Sequence, residues 1–142
     1  MLPRLEVLVV DDEPALREVL TLRITDWGYD VRTAATAREA EVAIATRVPH
    51  LVLCDVVLPG SSGIGLLARI REREPRVPVV MMTAHGTIDA AVDARKLGAG
   101  DYLTKPLDHV ALRALLDTMA AELGARAASR AHDTELQRME PN

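Results

Sequence analysis

The sequence predicts an α/β protein in which a parallel β-sheet carries helices on both faces. Short runs rich in β-branched residues alternate along the chain with longer runs rich in Ala, Leu, Glu and Arg. The longer runs have the length of crossover helices, which parallel strands require. The first, third and fourth short runs are almost wholly apolar, as is typical of central strands buried on both faces. The chain has 142 residues, which is enough for one such domain.

The elements follow one another with recognisable boundaries. The first strand, at 5–10, leads into a helix at 13–27 whose first turn contains Pro14 and whose apolar pattern stops before Gly28. Proline is favoured in a first helical turn and glycine just after a last one. Gly98 ends the fourth helix in the same way. The remaining predicted strands are 31–34, 51–54, 77–82 and 101–104, and the remaining helices are 37–47, 63–74, 87–97 and one that begins near Asp108.

The last predicted helix changes character along its length. One apolar face repeats at helical spacing as far as residue 123. Beyond that point the apolar pattern weakens, and basic and acidic residues balance each other. We therefore predict a globular domain at 1–123 and a helical tail or linker at 124–142. The apolar face consists of Leu112, Leu116, Met119 and Leu123.

Composition and charge exclude several classes of protein. The 17 basic residues against 21 acidic ones give a net charge of −4, so the basic excess of a nucleic-acid-binding domain is absent. The single cysteine, Cys54, excludes an intrachain disulfide and predicts a reducing compartment. Glu6 interrupts the apolar run near the start, and no run is long enough to span a membrane. We expect a cytoplasmic protein that contacts neither nucleic acid nor membrane.

Polar side chains follow four of the five predicted strands. Asp11 and Asp12 come after the first strand, Asp55 after the third, Thr83 after the fourth and Lys105 after the fifth. Ligand sites in open parallel sheets form beyond the carboxyl ends of the strands. Three carboxylates, a hydroxyl and an ammonium therefore converge on one edge if these strands are neighbours.

Three carboxylates brought together require a compensating cation. Each close pair repels by roughly 4 kcal/mol at 4 Å and an effective dielectric constant near 20. Mg²⁺ prefers oxygen ligands, often one or two carboxylates with waters and a phosphate. The paired Asp11 and Asp12 suit metal holding, whereas Asp55 stands alone between apolar neighbours and is the candidate nucleophile for phosphoryl transfer. Phosphorylation of Asp55 would add negative charge, and Thr83 and Lys105 could move toward it. The unphosphorylated and phosphorylated forms would then be the two states of an electrostatic switch.

Each of these residues also has a structural explanation when it is taken alone. Asp11 or Asp12 could cap the first helix, because aspartate is a favoured capping residue. Asp55 could be a turn residue, and Lys105 a solvated charge. The placement of all five at four strand ends favours the functional interpretation.

Three long motifs resemble the receiver domain of bacterial two-component response regulators. They are VLVVDDEPALREVL at 7–20, LVLCDVVLPGSSGIGLL at 51–67 and PVVMMTAHGTIDAAVDARKLGAGDYLTKPL at 78–107. The resemblance covers roughly residues 5–122. It implies a flavodoxin-like three-layer sandwich with five helices and a five-stranded parallel sheet of order 2-1-3-4-5.

The resemblance also implies a role for each acidic residue. Asp55 is the phosphoacceptor. Asp11, Asp12 and Asp55 hold Mg²⁺ or Mn²⁺, and the backbone carbonyl of Val57 is a further ligand. No organic cofactor is implied. The phosphoryl donor is a phosphohistidine on a sensor histidine kinase or a phosphotransfer protein.

Further residues are implied to sense the phosphoryl group. Thr83 and Lys105 contact it, and the rotamer of Tyr102 follows Thr83 and links the site to the face of helix 4, strand 5 and helix 5. The resemblance implies that this face controls output and that a homodimer can form through it. The Lys105–Pro106 peptide bond is expected to be cis. Such a domain is not a turnover enzyme, although it promotes its own phosphorylation and dephosphorylation.

The segment from 81 to 107 is similar to receivers of the nitrogen-regulator type. These receivers usually precede an ATPase and a DNA-binding domain, so the resemblance implies regulation of transcription. No Walker-type phosphate loop occurs in this chain. Either the chain is an excised receiver with its linker, or it is a stand-alone regulator that acts by docking.

Two other function classes use related chemistry. A Mg²⁺-dependent phosphohydrolase with an aspartyl phosphate intermediate would place its nucleophile in D-x-D after the first strand, where this chain has Asp-Asp-Glu. A flavin-binding module would need a phosphate-binding loop at the same place, and the acidic residues there would repel the phosphate.

Small departures from the receiver pattern are Ser61, Ser62 and Leu107. His85, two residues after Thr83, is a candidate for controlling the access of water to the phosphoaspartate.

Overall fold

The computed structural model describes the backbone of residues 4–84 and 88–139, and side chains over 4–84 and 92–124. The chain divides into two compact units, 1–108 and 109–142. Of the elements that the structure describes, the strands and the first four helices lie in the first unit and the fifth helix lies in the second. Within the described residues, no helix is both long and apolar enough to cross a membrane.

Five parallel strands form the main sheet, in the order β2-β1-β3-β6-β7. This is the predicted order 2-1-3-4-5 once two very short strands, β4 and β5, are counted in chain order. Those two strands form a separate antiparallel pair. The strands are β1 Glu6–Val10, β2 Asp30–Ala34, β3 Leu51–Asp55, β4 Val57–Leu58, β5 Ser61–Ser62, β6 Val79–Thr83 and β7 Asp101–Thr104.

The helices match the predicted ones. The fifth helix continues without a break through residue 124, as a helical tail does, and the boundary between a domain at 1–123 and a tail at 124–142 stays a prediction. The predicted start of the fourth helix at 87 lies outside the described residues. The helices are α1 Pro14–Asp26, α2 Ala37–Thr46, α3 Gly63–Arg73, α4 Ile88–Lys96 and α5 His109–Met139.

The central strands are buried on both faces. Leu8 and Val10 of β1 lie in a core cluster with residues of α2, α3 and α4. Val7 and Val9 are equally buried but lie outside that cluster, because successive side chains of a strand point to opposite faces. Helix α1 contacts β1 and β2 and covers this second face with Leu20 and Ile24, which are fully buried. In the second unit, Leu112, Leu116 and Met119 are buried, on the apolar face that the sequence predicts.

Local backbone features confirm the predicted boundaries. Pro14 occupies the first turn of α1, and the Lys105–Pro106 peptide bond is cis. Gly28 and Gly98 have φ angles of 104° and 100°, in the left-handed region that side chains disfavour. Both glycines are therefore required where the chain leaves α1 and α4.

Candidate functional site

The three carboxylates meet at the carboxyl edge of the sheet, as predicted. Asp11 directly follows β1 and Asp55 is the last residue of β3, and both are buried, whereas Asp12 is exposed. One carboxylate oxygen of each residue lies within 4.8 Å of the other two. A set of three hard oxygen donors fits Mg²⁺ or Mn²⁺ rather than a metal that prefers sulfur or imidazole.

Lys105 joins the two buried carboxylates. Its Nζ donates hydrogen bonds to Asp11 Oδ2 at 2.7 Å and to Asp55 Oδ2 at 2.9 Å. Burial on its own would lower the pKa of Lys105, but the hydrogen bonds and charges of Asp11 and Asp55 outweigh it and raise this pKa above its ordinary value. The ammonium therefore stays charged. Three carboxylates and one ammonium leave a net charge of −2.

Asp11 is fixed at each of its polar atoms. Its amide donates to the carbonyl of Ala34 at 3.0 Å, and its Oδ1 accepts from the Glu13 amide at 2.9 Å, which closes a turn typical of aspartate. Its Oδ2 accepts from Lys105, and its main-chain carbonyl accepts from Arg17 Nη1 at 2.7 Å. Sequence reasoning missed Arg17, because a helical arginine gives no signal of the atom that it binds.

Asp55 is positioned by the turn that follows it. Its Oδ1 accepts from the Val57 amide at 3.1 Å, and the Val56 amide donates to the carbonyl of Met82 on β6 at 2.8 Å. Val57 thus contacts Asp55 through its amide, and the metal-binding role of its carbonyl stays a prediction.

Gly63 is a second residue that the sequence analysis missed. Its amide donates to the Val56 carbonyl at 2.9 Å. A Cβ at this position would lie 1.9 Å from the main-chain oxygen of Asp55, so a larger residue would displace the turn. The glycine allows the start of α3 to lie against the backbone of Asp55. The only available signal was a glycine at the first residue of a predicted helix.

Thr83 and Tyr102 lie on the neighbouring strands β6 and β7. Thr83 is buried at the end of β6, and its carbonyl accepts from the Lys105 amide at 2.7 Å. Tyr102 is partly buried beside the core cluster, and its hydroxyl is buried without a hydrogen-bond partner among the described residues. Its side chain lines a cavity of about 470 Å³ together with Val56, Ile64 and Leu97.

Cys54 is fully buried in β3. Burial, together with the carboxylates of Asp55 and Asp11, raises the pKa of its thiol to about 12. A thiol with this pKa is protonated at neutral pH and is neither a nucleophile nor a metal ligand.

The sequence matches the profile of the response regulator receiver domain over residues 7–117. The chain belongs to this family. Response regulator protein PilR of Pseudomonas aeruginosa is 43% identical over 115 residues, which are 81% of this chain and 26% of PilR. DNA-binding transcriptional regulator NtrC of Klebsiella pneumoniae is 41% identical over 109 residues, which are 77% of this chain and 23% of NtrC.

Solved receiver domains share the fold. The receiver domain of NtrX from Brucella abortus is 39% identical, superposes with a TM-score of 0.75, and is matched over 80% of this chain and 96% of that one. The chain is therefore a receiver domain of the NtrC-like kind, as the motifs predict. It spans about a quarter of the length of PilR and NtrC.

Two departures from the receiver pattern, Ser61 and Ser62, have local structural roles. Ser61 and Ser62 form β5, which pairs with β4, and Ser62 Oγ accepts from the Gly65 amide at 3.3 Å at the start of α3. An N-terminal serine cap of this kind satisfies a helix amide. In this receiver domain His85 lies outside the described residues, so its role in water access stays a hypothesis.

Proposed function

We propose that Asp55 accepts a phosphoryl group from the phosphohistidine of a sensor histidine kinase or a phosphotransfer protein. The observation that carries this proposal is the environment of its carboxylate. Asp55 is buried at the carboxyl end of β3, shares Lys105 with Asp11, and has a carboxylate oxygen of Asp12 within 4.8 Å. The other two carboxylates suit metal binding. Every polar atom of Asp11 is hydrogen-bonded, which fixes its position, and the carboxylate of Asp12 is exposed.

The transfer is a displacement at phosphorus. An Asp55 carboxylate oxygen forms the new P–O bond while the P–N bond of the donor breaks, and the histidine nitrogen keeps the electron pair. Asp11, Asp12, Asp55 and the carbonyl of Val57 would hold Mg²⁺ or Mn²⁺, which when bound offsets charge on the phosphoryl oxygens. Lys105 keeps its charge beside Asp55 and pairs with the phosphoryl group after transfer. The same groups promote hydrolysis of the acyl phosphate.

The signal leaves the site through Thr83 and Tyr102. Thr83 lies at the end of the strand next to Asp55, and Tyr102 lies on the following strand beside an open cavity. Because the Tyr102 hydroxyl has no hydrogen-bond partner among the described residues, a change of its rotamer would not break a hydrogen bond of that hydroxyl. Movement of Thr83 toward the phosphoryl group would release the ring and alter α4, β7 and α5, which carry output or a homodimer contact.

The relatives support control of transcription by a longer protein. NtrC is described as a DNA-binding transcriptional regulator, and this chain spans only about a quarter of it. We propose that this receiver regulates an output domain or a docking partner in the cytoplasm, and that it makes no direct contact with nucleic acid.

Intact-mass spectrometry after incubation with acetyl phosphate and Mg²⁺ tests the acceptor role. The parent is expected to gain one hydroxylamine-labile phosphate and Asp55→Asn none. Asp26→Asn, which removes an exposed carboxylate at the end of α1, is the matched control and should label like the parent. An equal adduct on Asp55→Asn would contradict the proposal, and sustained turnover of a phosphomonoester would favour a phosphohydrolase instead.

A further inference from the structure

Arg17 lies beside the acidic cluster and contacts its backbone rather than a carboxylate. Its Nη1 donates to the main-chain oxygen of Asp11 at 2.7 Å. The base of the side chain is set by the start of α1, since the Arg17 amide donates to the Glu13 carbonyl at 3.1 Å. Arg17 is half-buried. The guanidinium thus reaches back from the first turns of α1 to the loop that carries Asp11 and Asp12.

The bonded oxygen belongs to the peptide that joins two expected metal ligands. On one side of this peptide, Asp11 is held by the Ala34 carbonyl, the Glu13 amide and Lys105. On the other side, Asp12 is exposed, and no hydrogen bond to its carboxylate is found among the described residues. The direction in which Asp12 leaves the loop therefore depends on its backbone. Among side chains of the described residues, Arg17 is the one bonded to that peptide.

We propose that Arg17 is a positioning residue for the divalent cation, and that it acts by fixing the Asp11–Asp12 peptide so that both carboxylates face the same point. This inference rests on the proposed cation site. The residue does not ligate the metal itself. Groups that orient metal ligands commonly change metal affinity by tenfold or more when they are removed.

Charge alone predicts the opposite effect. A positive side chain beside a cation site repels the cation, so its removal should tighten binding if Arg17 acted only through its charge. The positioning role predicts that removal weakens binding. The sign of the change therefore separates the two explanations, which makes the inference testable without measuring phosphorylation.

The experiment is a titration with Mn²⁺, in which electron paramagnetic resonance reports the free ion, on the parent and on matched variants. Arg17→Met removes the hydrogen bond and the charge. Arg23→Met removes an exposed arginine from the last turn of the same helix and controls for net charge. Arg17→Lys keeps the charge and one donor. Thermal unfolding in EDTA checks that each variant is folded, and Arg17→Gln replaces Arg17→Met if the latter does not fold.

We expect Arg17→Met to bind Mn²⁺ about tenfold more weakly than the parent. Arg23→Met should remain within about twofold of the parent, and Arg17→Lys should recover most of the affinity. Equal or tighter binding by Arg17→Met would overturn the positioning role while leaving the proposed function intact. Absence of Mn²⁺ binding by the parent would overturn both.

Discussion

The two ends of the central sheet hold two charged clusters that are built in opposite ways. At the amino end, the Glu6 carboxylate is buried and contacts two guanidinium groups, with Arg32 Nε at 2.8 Å and Arg47 Nη2 at 2.5 Å. The backbone is tied there as well, because Glu6 and His50 exchange hydrogen bonds of 2.9 and 3.0 Å. At the carboxyl end, three carboxylates lie together, and the ammonium of Lys105 contacts two of them, Asp11 and Asp55.

The difference separates a structural cluster from a functional one. At the amino end both oxygens of Glu6 have cationic partners, and the cluster stabilises the fold without any added group. At the carboxyl end the net charge is −2, and the Asp12 carboxylate has no hydrogen bond among the described residues. An excess of negative charge, held in place by the fold, supports the cation site that we propose.

Breaking the amino-end cluster should have the largest effect on stability. Glu6→Ala leaves Arg32 without the carboxylate that it contacts and is expected to lower the free energy of unfolding by about 2 kcal/mol, a value reduced from that of a fully buried pair because Arg47 is largely exposed. Urea unfolding measures this change. Glu72→Ala, at an exposed position of α3, is the control and should change stability by less than about 0.5 kcal/mol. Equal losses in the two variants would contradict the structural role of Glu6.

Neutralising the carboxyl-end cluster should have a smaller effect of the opposite sign. Asp12→Asn removes one of the three close carboxylates without breaking a hydrogen bond, so the metal-free protein should gain at most about 1 kcal/mol, because solvent screens this exposed group. The same variant should lose most of the thermal stabilisation that Mg²⁺ gives the parent. Thermal unfolding with EDTA and with Mg²⁺ checks both, and Glu18→Gln serves as the charge control. Destabilisation of metal-free Asp12→Asn would refute the electrostatic comparison.

The smallest expected effect is the contribution of Glu6 to the pH dependence of the free energy of unfolding. Burial on its own would raise the pKa of Glu6, but the hydrogen bonds and charges of Arg47 and Arg32 reverse the effect and hold this pKa below its ordinary value of 4.5. A group whose pKa is lower in the folded state contributes stability that is fully present at pH values above its ordinary pKa of 4.5. This contribution is lost as the pH falls through the pKa of the folded state. The stability advantage of the parent over Glu6→Gln should therefore be constant near neutral pH and shrink below pH 4.5. A difference that does not change with pH would contradict this assignment.

Much of the fold follows from local sequence pattern. The alternation of apolar strands with helical runs gives the five main strands and all five helices, and Gly28 and Gly98 mark two helix ends. The motif resemblance supplies the strand order and the cis bond before Pro106. The pattern does not give the two-residue strands β4 and β5, because segments so short carry no periodicity. It also leaves open whether the residues after 123 form a helix or a linker, because their apolar pattern is weak.

The candidate site was predictable as a set of residues but not as a set of contacts. Residues at strand ends converge because parallel strands end at one edge, which brings Asp11, Asp55 and Lys105 together as expected. The contacts of Arg17 and Gly63 depend on how α1 and α3 lie against that edge, and their partners are backbone atoms, which are identical in every residue. Glu6 interrupts an apolar strand in the sequence, but its partner Arg47 is 41 residues away.

The phosphoryl group can be located chemically, which tests directly whether Asp55 is the acceptor. After phosphorylation with acetyl phosphate and Mg²⁺, borohydride reduces an aspartyl phosphate to homoserine, and peptide mass mapping identifies the modified residue. We expect homoserine at position 55 alone, with Asp11 and Asp12 unchanged. Homoserine at position 11 or 12, or a phosphorylated protein in which residue 55 is still aspartate, would contradict it.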